Sequence, residues 1–243
     1  MSNQKTLNDL NGSDAEKSTL AEEMDLPSDW SVQYLEDVCE IGGGSTPKRS
    51  NAEYWDGGDI LWATPKDFDG PWMVDTEEEM TEAGAEASTS RVYGNGTVLL
   101  VVRSGVLRHT LPVAKVVNAT TVNQDIKALQ PNEDVIHPEY LFQYLYSQSE
   151  RIRVRCKKTG TTVESIQTSV LKKYPVPVPP MEDQVKIAGI GHNLDLTTQR
   201  ALELAEQSKT VKQGLMEDLL SGEVSTDGEE IDISDELDTH ESD

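Results

Sequence analysis

Basic charge is what this sequence lacks most. Against 44 aspartates and glutamates it sets 21 lysines and arginines, for a formal net charge of −23. Taken as a whole, that balance argues against nucleic acid as a partner. Cysteine is nearly absent. Cys39 and Cys156 make neither a metal-binding pair nor a disulfide framework, which leaves two free thiols of an intracellular, cytoplasmic protein. The four histidines, His109, His137, His192 and His240, have no metal-ligand spacing. No nucleophile elbow places a serine beside a histidine and an aspartate, and no dinucleotide or methyl-donor glycine loop follows a clear strand. These absences predict a protein without chemistry of its own and without a bound cofactor. No run approaches the roughly 18 apolar residues of a membrane span, and the polar first 25 residues hold no apolar core of a signal peptide.

The charge is unevenly spread. Residues 1–25 carry 2 bases and 6 acids, and residues 181–243 carry 4 and 17. From Val101 to Lys173 the balance reverses to 11 bases against 6 acids. A basic stretch inside an acidic protein is a candidate anion-binding region. The overall acidity resembles that of proteins from salt-loving organisms. Under strong screening, binding to DNA gains less from counterion release and leans more on shape and direct base contacts.

The acidic, polar residues 1–25 have little to bury and are expected to be disordered. The folded part is expected to begin at Leu26-Pro27-Ser28-Asp29-Trp30, a turn with a large apolar anchor. Ser31–Ile41 reads as a short strand or helix, and its Val32, Leu35, Val38 and Ile41, recurring every three residues, favour a helix. Gly42-Gly43-Gly44-Ser45-Thr46-Pro47-Lys48-Arg49 is a glycine loop ending in two bases. It lacks the Walker order and is either a phosphate-approaching loop or a turn that needs positive φ. Asp59–Ala63, Thr97–Val102, Leu111–Val117 and Thr121–Leu129 read as strands or alternating segments, and residues 69–90 as an acidic loop with a helical turn. His137-Pro138-Glu139 caps a helix running to about Arg151. Arg151, Arg153 and Arg155 alternate with Ile152 and Val154, ahead of Lys157 and Lys158. On a strand the three arginines share one face. That edge either contacts phosphate or is a solvated edge protected by charge.

The stretch from Thr159 to Gln184 organises the chain. Thr159-Gly160-Thr161-Thr162 reads as a loop, Ser165–Lys173 as a short helix, and Tyr174–Pro180 as an extended segment, because alternating prolines cannot continue a helix. From Glu182 to Leu220 one long helix is expected. Ile187, Leu194, Ala201, Ser208 and Leu215 recur every seven residues, and Ile190, Thr197, Leu204 and Val211 fill the other seam position. Such a helix spans about 58 Å and needs a partner. Gly222 stops it, and an acidic, solvating tail follows over residues 222–243.

The residues also carry a resemblance. Leu26-Pro27-x-x-Trp30; Gly43-Gly44-Ser45-Thr46-Pro47 with Asn51, Tyr54-Trp55 and Gly58-Asp59-Ile60; Trp62-Ala63-Thr64-Pro65-Lys66-Asp67; Gly96-Thr97-Val98-Leu99-Leu100 with Arg103-x-Gly105; Asn123-Gln124-Asp125-Ile126; and Gly160-Thr161-Thr162 through Pro175–Pro180 to Glu182-x-Gln184 stand in the order found in specificity subunits of type I restriction-modification systems. The chain resembles a half-subunit of that family over about residues 26–222. It departs at Thr161-Thr162-Val163, where the family commonly has Ser-Thr-Gln, and it has one recognition domain and one long helix where a whole subunit has two of each.

The resemblance implies an α+β fold: a mixed target-recognition domain over residues 26–180, then a spacer helix over 181–221 that pairs antiparallel with a partner helix. It implies a non-enzymatic subunit that reads one half of a bipartite target in double-stranded DNA and docks the modification subunits, which methylate adenine with S-adenosylmethionine. A motor/nuclease subunit joins that core. The second half would be a copy of the chain or a separate half-subunit. The candidate DNA-contacting residues are Lys48, Arg49, Lys66, Arg103, Arg108, Arg151, Arg153, Arg155, Lys157, Lys158 and Thr162. The candidate pairing residues are Ile187, Ile190, Leu194, Ala201, Leu204, Val211 and Leu215. The alternative is a structural or decoy half-subunit that binds the modification subunit without reading DNA, which the acidic composition favours.

Overall fold

The structure is a computed structural model and describes residues 24–88, 91–158 and 163–224. The expectations for the N-terminal segment, the acidic tail and Thr162 therefore concern residues outside the described ones, apart from the stubs at Met24-Asp25 and Gly222–Val224.

The most apolar run of the sequence becomes the middle of the fold. Strand β6 (Val98–Val101) lies inside a five-stranded sheet, between β7 (Val113–Val116) and β9 (Ile126–Pro131). Beyond these lie β2 (Cys39–Gly43) next to β9 and the short β4 (Trp72–Met73) next to β7. Side chains alternate across a strand. Val98 and Leu100 therefore enter one core with Leu129, Leu141, Phe142 and Leu145, while Leu99 and Val101 enter another with Met73, Tyr93, Ala114 and Ala128. A strand covered on both faces reads as an unbroken apolar run, not as an alternation. A second sheet of three strands places β3 (Ile60–Ala63) between β5 (Glu79–Met80) and β8 (Thr120–Val122), with the β3–β8 pair parallel. Trp62, Ile60, Met80 and Ala85 form a small core of their own there.

Two expected elements take other forms. The period of three from Val32 to Ile41 is not one helix. Ser31–Tyr34 is strand β1, Leu35–Val38 is a single helical turn (α1), and β2 follows. The cause lies far away in sequence. Strand β10 (Pro175–Val178), the proline–valine segment, pairs antiparallel with β1, with Ser31 opposite Val178 and Tyr34 opposite Pro175. Tertiary pairing overrides a short-range spacing. Residues 69–90 likewise hold more than a loop. Met73 and Met80 are buried on β4 and β5, and Glu82–Ala87 forms helix α2 with the Thr81 hydroxyl accepting from the Gly84 N–H at 3.1 Å.

Pro138 opens helix α3 (Pro138–Ser147), where its missing N–H costs nothing. Helix α4 (Ser149–Cys156) follows at once. The expected strand through the arginines is thus a helix. The two-residue alternation of Arg and Ile/Val misleads, because Val154 is exposed while Ile152 and Cys156, one helical turn apart, are both buried. Helix α5 (Thr168–Lys172) starts later than expected, since Ser165 and Ile166 are drawn into bridges with Arg103 and Lys157. Helix α6 (Met181–Ser221) ends at Gly222, which adopts φ 76°, a conformation open to glycine.

The chain divides into two units, one reaching Asn193 and one starting at Leu194. In the first, α6 is fastened by Gln184, which is 1% exposed. Its Nε2 donates to the Val135 and Pro179 carbonyls at 3.1 and 2.9 Å, and its Oε1 accepts the His137 N–H at 2.7 Å. Ile187, expected at the pairing seam, packs against the domain core next to Ala188. In the second unit Leu194, Ala201, Leu204, Val211 and Leu215 are all exposed. None of the helices in the described residues is long and apolar enough to cross a membrane.

Candidate nucleic-acid interface

The residues expected to meet DNA are scattered through the sequence, but a chain of contacts gathers several of their loops. The glycine run opens it. Gly42 and Gly43 belong to β2 and Gly44 does not need positive φ. Glycine is required at Gly44 by closeness, since a Cβ there would fall 1.7 Å from the Val122 carbonyl oxygen. Two residues on, the Thr46 hydroxyl donates to Gln124 Oε1 at 3.1 Å. Gln124 is the exposed tip of the Asn123-Gln124-Asp125 turn between β8 and β9, which the buried Asn123 closes by accepting the Asp125 N–H at 2.9 Å.

Asp125 continues the chain. Its carbonyl accepts the N–H groups of Val102 and Arg103 at 2.7 and 3.2 Å, and its carboxylate accepts Arg103 Nε at 2.5 Å. The backbone at Arg103 bridges to Ser165, and Ser104 N–H donates to the Glu164 carbonyl at 3.2 Å. From the other side Lys157 bridges to Ile166, the Lys158 N–H donates to the Ser165 carbonyl at 2.8 Å, and Lys157 Nζ lies 3.0 Å from the Glu164 carboxylate. The extended residues 164–166 thus run between residues 102–104 and 156–158. Arg103, Lys157 and Lys158, up to 55 positions apart in the sequence, flank one segment.

The helical form of α4 divides its arginines. Arg151 and Arg155, one turn apart, line an open cleft of about 530 Å³ with Met24, Tyr144, Val154 and Tyr174. Arg155 sits 5.9 Å from the Tyr174 ring centre. Burial pushes the phenols of Tyr144 and Tyr174 upward, and the cleft arginines oppose that shift. Arg153 leaves on another side. Its side chain is 15% exposed, and it is held by Glu150 and by the carbonyls of Leu107 and Arg108.

The remaining candidates separate by how tightly they are held. Arg49 is stacked over Trp55 and Trp62, 4.2 and 4.4 Å from the ring centres, and its guanidinium forks onto the Glu78 carboxylate, with the Nη2 branch at 2.8 Å. Lys66 is 3.7 Å from Glu77 and well exposed. Lys48, Arg108, Arg151, Arg155 and Lys158 are exposed and have no acidic partner among the described residues. Thr46 and Gln124 were not among the residues expected to meet DNA. The Asn-Gln-Asp-Ile turn was the available signal, and an exposed glutamine at a loop tip suits a paired contact with adenine.

The matrix of loops on a two-sided sheet can be set beside known proteins. Residues 27–207 match the type I restriction modification DNA specificity domain. The chain belongs to that family. The specificity domain here is 34% identical over 168 residues to the EcoR124I/EcoR124II type I restriction enzyme specificity subunit of Escherichia coli, a match covering 68% of this chain and 41% of that one. It is 33% identical over 168 residues to the MjaIX specificity subunit of Methanocaldococcus jannaschii, covering 68% and 38%. The chain therefore spans about two fifths of the length of these relatives. Among solved structures, the HsdS subunit from Thermoanaerobacter tengcongensis superposes with TM-score 0.52 at 20% identity over 82% of this chain and 46% of that one. A chain from a type I restriction-modification assembly superposes with TM-score 0.57 at 22% identity over 79% and 46%. At those identities the likeness is one of fold. Among the described residues no group of three or more His, Cys, Asp and Glu side chains is placed to hold a metal ion.

Proposed function

We propose that this chain reads one half of a bipartite DNA target as a half-length specificity subunit and docks adenine-methylating modification subunits, which would supply the S-adenosylmethionine chemistry. The observation that carries the reading is the loop cluster. Arg103, Lys157 and Lys158 stand together with the Thr46–Gln124 pair at linked loops of one domain, and the turn ending in the exposed Arg108 follows Arg103 in the chain, in a protein whose overall net charge is −23. Guanidinium groups suit paired contacts with guanine and the amide of Gln124 suits adenine, while the lysines neutralise phosphate. Lys48, Lys66 and the cleft arginines Arg151 and Arg155 are assigned to outlying phosphate contacts. Arg49, forked onto Glu78 in the corner formed by Trp55 and Trp62, is assigned to holding its own loop.

The recognition domain is taken as residues 26–180 and α6 as the spacer. Its exposed seam at Ile190, Leu194, Ala201, Leu204, Val211 and Leu215 is assigned to antiparallel pairing with a second copy or a separate half-subunit. A homodimer would read a two-fold symmetric, split target. The test is binding to a pool of random duplexes followed by sequencing of the retained fraction. Enrichment of a split sequence is expected, and Arg103→Ala with Arg108→Ala should weaken binding and relax the preference at one or two positions. Loss of neither affinity nor preference in the folded double variant would remove both arginines from the interface. Binding to the modification subunit without any enriched sequence would instead identify a decoy, the reading that the acidic composition favours.

A further inference from the structure

We infer that Arg153 is a positioning residue: it does not meet DNA but fixes the turn that presents Arg108. This rests on the proposed DNA-reading role of the loop cluster. The turn in question is a short 3-10 turn, Gly105–Arg108, opened by Ser104 and followed by exposed His109. Leu107 is its single buried side chain and is fully enclosed in the main core. Val106 is partly buried against the second core, whereas the Arg108 side chain is exposed and has no acidic partner among the described residues. Past Leu107 the end of the turn, Arg108-His109-Thr110, is exposed and carries no apolar anchor, so it can shift.

Arg153 removes that freedom. One guanidinium nitrogen, Nη1, donates to the carbonyls of Leu107 and Arg108, each at 3.1 Å. The opposite edge of the same plane is gripped by Glu150, which accepts from Nε at 2.8 Å and from Nη2 at 2.5 Å. Three of the fork's directions are thus spent on fixed partners. A guanidinium so used has little left to offer a phosphate or a base. Glu150 and Arg153 lie three residues apart on α4, so they meet on one face of it. The helix in turn is anchored by Ile152 and Cys156 in the core. The pair therefore ties two consecutive carbonyls of the turn, one of them the carbonyl of Arg108 itself, to a helix anchored in the core.

The pairing also shows in ionisation. The Arg153 hydrogen bond holds the Glu150 carboxyl below its ordinary range, so the brace is ionised throughout the neutral region. A lysine at position 153 would keep the positive charge but lose the planar fork that spans a carboxylate and two carbonyls. That difference separates a brace from a phosphate contact.

The test uses the full chain and a mixed-sequence duplex of about 40 base pairs, with affinity followed by fluorescence anisotropy across a salt titration. On a duplex that lacks the target, where an arginine at the interface meets phosphate in place of its base, a residue that neutralises one phosphate contributes a slope of about 0.9 in log affinity against log salt. Arg108→Ala should lower the slope by that amount. Arg153→Ala and Arg153→Lys should each lower it comparably although Arg108 is still present, and Arg153→Ala added to Arg108→Ala should lower it no further. Circular dichroism should match the native chain, and Glu150→Gln, which keeps the arginine, should act in the same direction if Arg153→Ala does not fold. Three results would overturn the inference: a native slope in Arg153→Lys, a loss in the double variant equal to the sum of the singles, or a native slope in Arg153→Ala beside a lowered one in Arg108→Ala. If the native chain shows no salt-dependent DNA binding at all, it is the proposed function that fails.

Discussion

Helix α6 begins as part of a core and continues as something else. Between Met181 and Asn193, Gln184 and Ala188 are buried, Ile187 packs on the domain, and one amide side chain makes three hydrogen bonds to the backbone of other segments. From Leu194 to Ser221 none of the described residues is buried, and Leu204 and Val211 are 64% and 69% exposed. Yet the apolar residues of both stretches follow one seven-residue rhythm. A periodic pattern shows that a helix has an apolar face. It does not show what covers that face. The first stretch is answered by this chain's own domain. The second carries leucines and valine on a helix where no described residue of its own unit buries them, which is the condition that drives two helices together.

The largest effect should come from the uncovered stretch. Replacing Leu204 and Val211 with aspartate places two charges on the proposed seam. In high salt, light scattering on the native chain is expected to give a mass near twice 26.8 kDa, and the double variant should return it to the single-chain mass. A dimer that survives both changes would reject this seam. The folded domain should keep its melting temperature, because neither residue is buried in the chain.

In the covered stretch the order reverses, and stability suffers before assembly. Lys115 and Glu139 form an ion pair at 12% and 14% side-chain exposure. Gln143 Nε2 also donates to Glu139 at 3.1 Å, and His192 of α6 lies 3.9 Å from it. Lys115→Met leaves the carboxylate buried without its main partner and should cost about 3 kcal/mol in chemical denaturation. Gln184→Ala leaves the His137 N–H and two carbonyls without their partner and should cost about 2 kcal/mol. A Lys115→Met variant as stable as the native chain would mean that the ion pair is not buried in solution, and a Gln184→Ala variant as stable would mean that the start of α6 is not fastened as described.

The same contrast explains what the sequence disclosed. The long helix, its stop at Gly222, the proline–valine strand and the apolar strand β6 were legible because each depends on a local property: period, φ restriction or an unbroken apolar run. The arginine helix was not. Its two-residue alternation is local, whereas the burial that decides the matter, Ile152 and Cys156 against exposed Val154, depends on a core assembled from distant segments. At β1 the local spacing tipped an open choice between strand and helix the wrong way for the same reason, its partner lying about 145 residues away. The candidate site was legible as a set of charges but not as a geometry. No spacing in the sequence says that Arg153 is spent on two carbonyls and Glu150, that Arg49 sits in the corner of two tryptophans, or that residues 164–166 tie Arg103 to Lys157.

The smallest expected effect separates the two stretches by chemistry. Burial pushes the thiol of Cys39 up to about 12 and that of Cys156 up to about 11, from 9.0. It also raises the phenols of Tyr140, Tyr144 and Tyr174 above 10.0. In the unfolded chain these groups lose their protons at the ordinary values, while the folded chain still holds them. Their contribution to stability is therefore complete below about pH 9 and is lost as pH rises toward 12. The thiols act first, so the melting temperature of the domain should begin to fall near pH 9, and Cys39→Ala with Cys156→Ala should flatten that first part of the decline. The residues from Leu194 onward contain neither cysteine nor tyrosine. A decline that starts near pH 9 with undiminished slope in the double cysteine variant would mean that the two thiols are not as buried in solution as they are in the fold.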